Sequence, residues 1–244
     1  MDYITSFHGI LETLKAKPSQ MKILLASGQG SRKPGPRIRG ILELAKKKGI
    51  AVDQVGQDML DRIDPDNKGV ALSVLGKDVE KSLSLDDFLE NPPDGALVII
   101  LDHIEDPQNF GAILRSADAF GANLVVAPTR RASPLGDAAA RTSAGASAWV
   151  PVAFVQNLTD AVKRLQGKGF WVYAADMGGA PLSGLHLPAK TCFVLGNEGE
   201  GVSRLLVETS DAVVSIPMRG HVDSLNVSVA AALFMYEYRR AHGE

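Results

Sequence analysis

Three short segments hold the polar side chains best suited to act on a ligand, and each follows an apolar run that reads as a buried strand. The first is Leu101-Asp102-His103-Ile104-Glu105-Asp106-Pro107-Gln108-Asn109-Phe110-Gly111, which leads into a helix carrying Arg115. Asp106 before Pro107 is a good N-cap and N1 pair, so Asn109 falls in the first helical turn, where donors and acceptors meet a ligand easily. Phe110, Ile113, Leu114 and Ala117 make the core-facing stripe, and Arg115 lies off it, free to project into a cleft. The second segment, Leu195-Gly196-Asn197-Glu198-Gly199-Glu200-Gly201, has three glycines in six residues, which lets a backbone approach a ligand closely. The third runs from Ile216 through Met218, Ser224, Leu225 and Asn226 to Ser228, with Ser224 or Asn226 as the cap of a closing helix. An arginine can clamp a phosphate as a bidentate fork. Taken singly, each residue has a plainer reading: Asn109 as a helix-start residue, Arg115 as solvated, Glu198 as a turn residue, Ser224 and Asn226 as caps. Three such loops at the ends of strands of one sheet favour a shared site.

The elements that must position these loops alternate. From Ala96 the spacing predicts strands at Ala96–Leu101, Asn123–Ala127, Val150–Phe154, Phe170–Ala175, Thr191–Leu195 and Ala212–Ser215. Helices are expected after Asp106, around Asp137–Ser143, at Leu158–Gln166, Ser203–Glu208 and Leu225–Arg240. Such alternation predicts an α/β domain with a mainly parallel sheet covered on both faces, and ligands beyond the carboxyl ends of its strands. Ahead of it, residues 1–76 read as a smaller α/β unit with helices from His8 and over Ile38–Lys48. Its strands are expected at Lys22–Ala26, Ile50–Val52 and Val70–Val74. The charged stretch 77–94, ending Asn91-Pro92-Pro93-Asp94, reads as a linker with a helical turn at Ser84–Leu89, and 95–244 as the second domain.

Composition narrows the function. Cys192, alone in 244 residues, forms no internal disulfide and no thiolate cluster, and it reads as a small buried hydrophobe. A cytoplasmic location is expected, since the N-terminus lacks the basic and apolar regions of a secretory leader and no run is long enough to span a bilayer. No metal is expected. The net charge is −2, yet residues 13–50 hold ten Lys/Arg against one acid, and 51–95 hold eleven Asp/Glu against four Lys/Arg. Segregation of this kind can build a basic face for a phosphate backbone, or merely a solvated helix. Gly28-x-Gly30 lacks the third glycine of a dinucleotide fingerprint, and neither a P-loop nor a Gly-x-Ser-x-Gly elbow occurs. Trp149 and Trp171 border strands and read as packing residues.

Asn109-x-Gly-x-x-x-Arg115, Leu-Gly-Asn-Glu198-Gly-x-Gly, and Ile-Pro-Met with Ser-Leu-Asn226-Val-Ser resemble, in order, the three motifs of the SpoU/TrmH RNA methyltransferases. The resemblance implies a SPOUT catalytic domain with a C-terminal trefoil knot, a homodimer with sites at the subunit interface, and S-adenosyl-L-methionine as methyl donor. It implies that Asn109, Arg115, Glu198, Ser224 and Asn226 serve catalysis on a ribose 2′-hydroxyl. Leu195, Gly196, Ile216, Met218 and Leu225 would hold the donor. His8-Gly9 and Lys68-Gly69-Val70-Ala71 resemble the L30e-like substrate domain of the rRNA-modifying branch, with Asn67 standing where that branch often has histidine. An RNA partner is therefore expected, with Arg32, Lys33, Arg37 and Arg39 as candidate RNA contacts and a guanosine of large-subunit (23S) rRNA as target. The alternatives are a tRNA or resistance methyltransferase of the same family and a non-catalytic RNA-binding module.

Overall fold

The computed structural model describes residues 2–16, 21–26, 34–74, 83–129, 150–197, 199–221 and 224–243. Two separate sheets organise them. The first has the order β1-β4-β2-β3, from β1 (Asp2–Ile4), β2 (Met21–Ala26), β3 (Ala51–Val55) and β4 (Val70–Val74). β4 runs antiparallel to β1 and β2, while β2 and β3 are parallel. Helices α1 (Phe7–Ala16) and α2 (Pro36–Lys48) bury Ile10, Leu14 and Ile41 on one face, against Ile23 and Leu72. α2 stops at Gly49, whose φ of 71° is the left-handed conformation that closes a helix. α3 (Gln57–Ile63) covers the other face through Leu60. Neither β1 nor α3 is evident from sequence. β1 has three residues, and α3 buries Leu60 alone, too little for an apolar period.

The second sheet is wholly parallel, in the order β10-β8-β9-β5-β6-β7. Its strands are β5 (Ala96–Leu101), β6 (Leu124–Pro128), β7 (Val152–Val155), β8 (Trp171–Pro181), β9 (Lys190–Leu195) and β10 (Ala212–Ser215). Every residue of β5 is buried, as its unbroken apolar run demands of a strand covered on both sides. Alternation then sorts its side chains. Leu97, Ile99 and Leu101 face α5 (Pro107–Ala119) and the closing helix α8 (Val227–Ala241). Ala96, Val98 and Ile100 face α4 (Leu85–Glu90), α6 (Leu158–Gln166) and α7 (Arg204–Thr209). Phe234 of α8 packs on Phe193 of β9 at 5.0 Å between ring centroids, both buried. Such a side chain contributes about 1.5–3 kcal/mol by burial.

Two findings change the sequence-based picture. Leu85, Phe88 and Leu89 of α4 are buried with the second sheet, so the stretch read as linker is packed onto that sheet from α4 onward. β8 runs on to Pro181 rather than ending near Ala175. Its pairing with β10 jumps from Val213↔Ala174 to Val214↔Ala180, so residues 175–179 leave the ladder as an excursion. Gly179 permits the return, because a Cβ there would lie 2.5 Å from the Val214 nitrogen. Trp171, expected to pack, is 46% exposed. The expected helix at 137–143 and Trp149 lie outside the described residues.

Candidate active site

Leu101 pairs with Leu195, so β5 and β9 end level and the first two polar loops leave the sheet side by side. α5 starts as the sequence dictates, with the Asp106 carboxylate accepting from the Gln108 N–H at 3.0 Å and Pro107 in the first turn. α8 is capped by Asn226, whose Oδ1 accepts from the Ser228 N–H at 2.9 Å. The Asn226 Nδ2 then donates to Asn109 Oδ1 at 2.9 Å. One asparagine thus caps one helix and grips the first turn of another. At the far end of the pair, Arg239 donates from Nε to the Phe120 carbonyl (2.6 Å) and from Nη2 to that of Gly121 (2.7 Å). A cation here suits the negative end of α5. The two helices therefore run side by side in the same direction, fastened at both ends.

Arg115 is exposed on α5, about 120° round the helix from Asn109 and about 9 Å further along it. Within one chain the structure brings Asn109 and Asn226 together and leaves Arg115 on another face. Glu198, Arg32 and Lys33 lie outside the described residues. Arg37 and Arg39 are exposed on α2, with the Arg37 guanidinium 5.9 Å from the Phe7 ring centre.

Leu195, Gly196, Ile216, Met218, Ser224 and Leu225 all line one cleft of about 270 Å³, floored by Phe234 of α8. Its shape depends on a self-bonded turn after β9. The Asn197 side chain accepts from the N–H groups of Gly199 (2.9 Å) and Glu200 (2.7 Å), and the Gly201 N–H returns to the Asn197 carbonyl at 3.1 Å. Gly196 must be glycine, since a Cβ would lie 1.9 Å from the Gly201 carbonyl carbon. The cleft is near the lower end of the sizes usual for small-molecule sites, and its mixture of apolar wall, backbone and few polar side chains is typical of them. Asp176 and Met177, from the β8 excursion, form another wall. Neither residue stands out in the sequence, although Gly178-Gly179 is a visible turn signal.

Asp102 is a second omission. It is 2% exposed, and its Oδ2 accepts from the Ser203 N–H at 2.8 Å while its own N–H donates to the Leu195 carbonyl at 2.8 Å. Oδ1 accepts from His103 Nδ1 at 2.6 Å. This carboxylate straps the loop after β5 to the one after β9. His103 has a φ of +57°, an uncommon conformation for a residue with a Cβ, held by the strap. A second cleft of about 400 Å³ opens beside it, lined by His103, Phe110, Asn157 and Ser203 among others. Among the described residues no group of three His, Cys, Asp or Glu could hold a metal ion, and no helix is long and apolar enough to cross a membrane.

Residues 96–236 match the model of the SpoU rRNA Methylase family. The chain belongs to that family. The matched span begins at β5 and ends within α8, so it holds the whole parallel sheet and all three polar loops. Among its relatives, the chain is 38% identical to a 23S rRNA (guanosine-2′-O-)-methyltransferase, RlmB, of Neisseria meningitidis serogroup B, across 97% of this chain and 94% of that one. Its fold is similar to a crystal structure of an RNA 2′-O ribose methyltransferase, with a TM-score of 0.81 and 25% identity over 99% of this chain and 89% of the other. It is also similar to the SpoU methyltransferase AviRb from Streptomyces viridochromogenes in complex with the cofactor AdoMet (TM-score 0.78, 23% identity, 98% and 90% covered).

Proposed function

We propose that this SpoU family member transfers a methyl group from S-adenosylmethionine to the ribose 2′-hydroxyl of a guanosine in 23S rRNA. The observation that carries the reading is the Asn226–Asn109 bond beside a cleft formed by the third and second polar loops. The full-length likeness to the Neisseria RlmB supports the choice of nucleotide and RNA.

When bound, the donor supplies an electrophilic methyl group on a positively charged sulfur. The chain's part is to hold it and to aim the ribose. Leu195, Gly196, Ile216, Met218 and Leu225 hold the donor through apolar contact and backbone groups. Asn109, fixed by Asn226, orients the ribose, and Ser224 on the cleft wall hydrogen-bonds the target nucleotide. Glu198 steadies Arg115 or the neighbouring loop amides. Arg115 clamps the target phosphate as a bidentate fork. Positioning of this kind can supply much of the rate enhancement for a bimolecular transfer.

Arg115 lies on a different face of α5 from Asn109, which favours a site completed by a second copy of the chain. α8 offers a surface for that copy. Val229 (48% exposed), Leu233 (39%) and Tyr236 (52%) fall at i, i+4 and i+7, one apolar stripe on the solvent side. We read the protein as a homodimer on this face, with the segment before α8 threaded as a trefoil knot around the cleft. Convergence on that cleft of the turn after β9, the β8 excursion and the segment after β10 supports the knot. The first sheet and its helices form an L30e-like RNA-binding unit over residues 1–76, with Arg32, Lys33, Arg37 and Arg39 as its candidate contacts to the RNA backbone. The catalytic unit takes in α4, which packs on its sheet. The protein acts in the cytoplasm, where its rRNA substrate lies.

Nucleoside analysis of 23S rRNA after incubation with the protein and donor tests the reading. It predicts newly formed 2′-O-methylguanosine at a single position. A methylated adenosine, or methylguanosine formed in tRNA alone, would overturn the choice of substrate.

A further inference from the structure

Among its described lining residues, the cleft that holds the methyl donor in this reading carries charge of one sign. Among the described residues that line it, the ionisable side chains are Asp176 and Glu200, both acidic and both exposed. They arrive from loops on either side of β9, and each loop is built to bring them there. The β8 excursion exists because the β8–β10 register jumps, and it closes only because residue 179 lacks a side chain. Within it Asp176 accepts from the Gly178 N–H at 2.9 Å. Glu200 is set by its own N–H, which donates to the Asn197 side chain at 2.7 Å. The remaining wall is apolar side chain and backbone, with the polar Asn197, Ser215 and Ser224.

We infer that this acidic rim makes the cleft favour the positively charged methyl donor over its neutral demethylated product. S-adenosylmethionine carries a sulfonium and an ammonium against one carboxylate, a net charge of +1. Loss of the methyl leaves a thioether and a net charge of zero. The two molecules share almost every atom, so apolar walls distinguish them only through one methyl group. A nearby carboxylate distinguishes them through the charge itself. Exposure limits the effect to about two- to fivefold in affinity for each carboxylate, and about tenfold for both together. The enzyme would thereby resist being held by its own product. The inference rests on the reading of this cleft as the donor site.

Calorimetric titration of S-adenosylmethionine and S-adenosylhomocysteine, separately, tests it on the wild type, Asp176→Asn, Glu200→Gln and the double variant. The wild type should prefer the donor more strongly at low salt than at about 0.5 M salt, where surface charges are screened. The double variant should bind the donor about tenfold more weakly and the product unchanged, leaving a ratio insensitive to salt. Unchanged product binding also shows that the cleft is still folded. A donor-to-product ratio equal in wild type and double variant would overturn the inference while leaving the donor site standing. Failure of the wild type to bind either molecule would overturn the inference and the donor-site reading together.

Discussion

Replacing Asn226 separates its two roles. In the native protein its Oδ1 caps α8 by accepting from the Ser228 N–H, and its Nδ2 donates to Asn109, each at 2.9 Å. Asn226→Ala removes both. Loss of an N-cap costs about 1 kcal/mol, and loss of one hydrogen bond about 0.5–1 kcal/mol more. For a chain of this size a total of about 1.5–2 kcal/mol lowers Tm by roughly 4–6 °C. Asn226→Ser keeps a capping oxygen but is too short to reach Asn109, so it should cost only the lost hydrogen bond, about 0.5–1 kcal/mol. Methyl transfer should behave differently. Both variants remove the Asn226 bond to Asn109, and a small misplacement of a positioning group can cost about a hundredfold in rate. Thermal melts beside transfer assays therefore predict a stable but impaired serine variant, and an alanine variant that is impaired and less stable. A serine variant with wild-type kcat/KM would refute the role given to the Asn109–Asn226 bond. An alanine variant that melts with the wild type would refute the cap.

Three further outcomes follow from individual contacts. Asp102→Ala strands the Ser203 N–H beside a void at a buried position, so it should destabilise by about 1–3 kcal/mol, read as a lower denaturant midpoint; an unchanged midpoint would show that the strap contributes nothing to stability. Gly196→Ala places a Cβ against the Gly201 backbone, so the turn must move and calorimetric donor affinity should fall at least tenfold, whereas native affinity would mean the turn is not a wall of the donor site. Cys192 is fully buried, and burial pushes its thiol well above the usual range. It should stay neutral and unreactive to a thiol reagent at pH 8 until the protein is unfolded, and rapid labelling of the native chain would contradict the packing of β9.

The parallel sheet was legible because its signals are local. Ala96–Leu101 is apolar without a break and Asp106-Pro107 is a start signal; in the first unit, Gly49 is an equally local stop. Helix α6 sits at the residues its periodicity predicts, with Asn157 as its cap. What stayed hidden depends on partners distant in sequence. Nothing near Asn109 says that its amide meets residue 226, and Asp102 reads as an ordinary loop aspartate until Ser203 is found against it. The β8 excursion is equally non-local, since only pairing with β10 reveals that residues 175–179 leave the ladder. α4 shows the same dependence, because charge in its sequence suggested a linker while Leu85, Phe88 and Leu89 are held by the sheet. Asn67 also gains a role the sequence did not offer. Its side chain donates to Asp61 and to the Asp64 carbonyl (both 2.8 Å) and accepts from the Gly69 N–H (2.9 Å), fixing the turn into β4.

The central claim is transfer of a methyl group to ribose in rRNA. Its most direct test is tritium transfer from labelled S-adenosylmethionine to total rRNA and total tRNA, comparing wild type with Arg115→Ala. Counts should appear in rRNA with the wild type and vanish with the variant, while both proteins melt alike. Absence of transfer to either RNA by a wild type that also fails to bind the donor would contradict it.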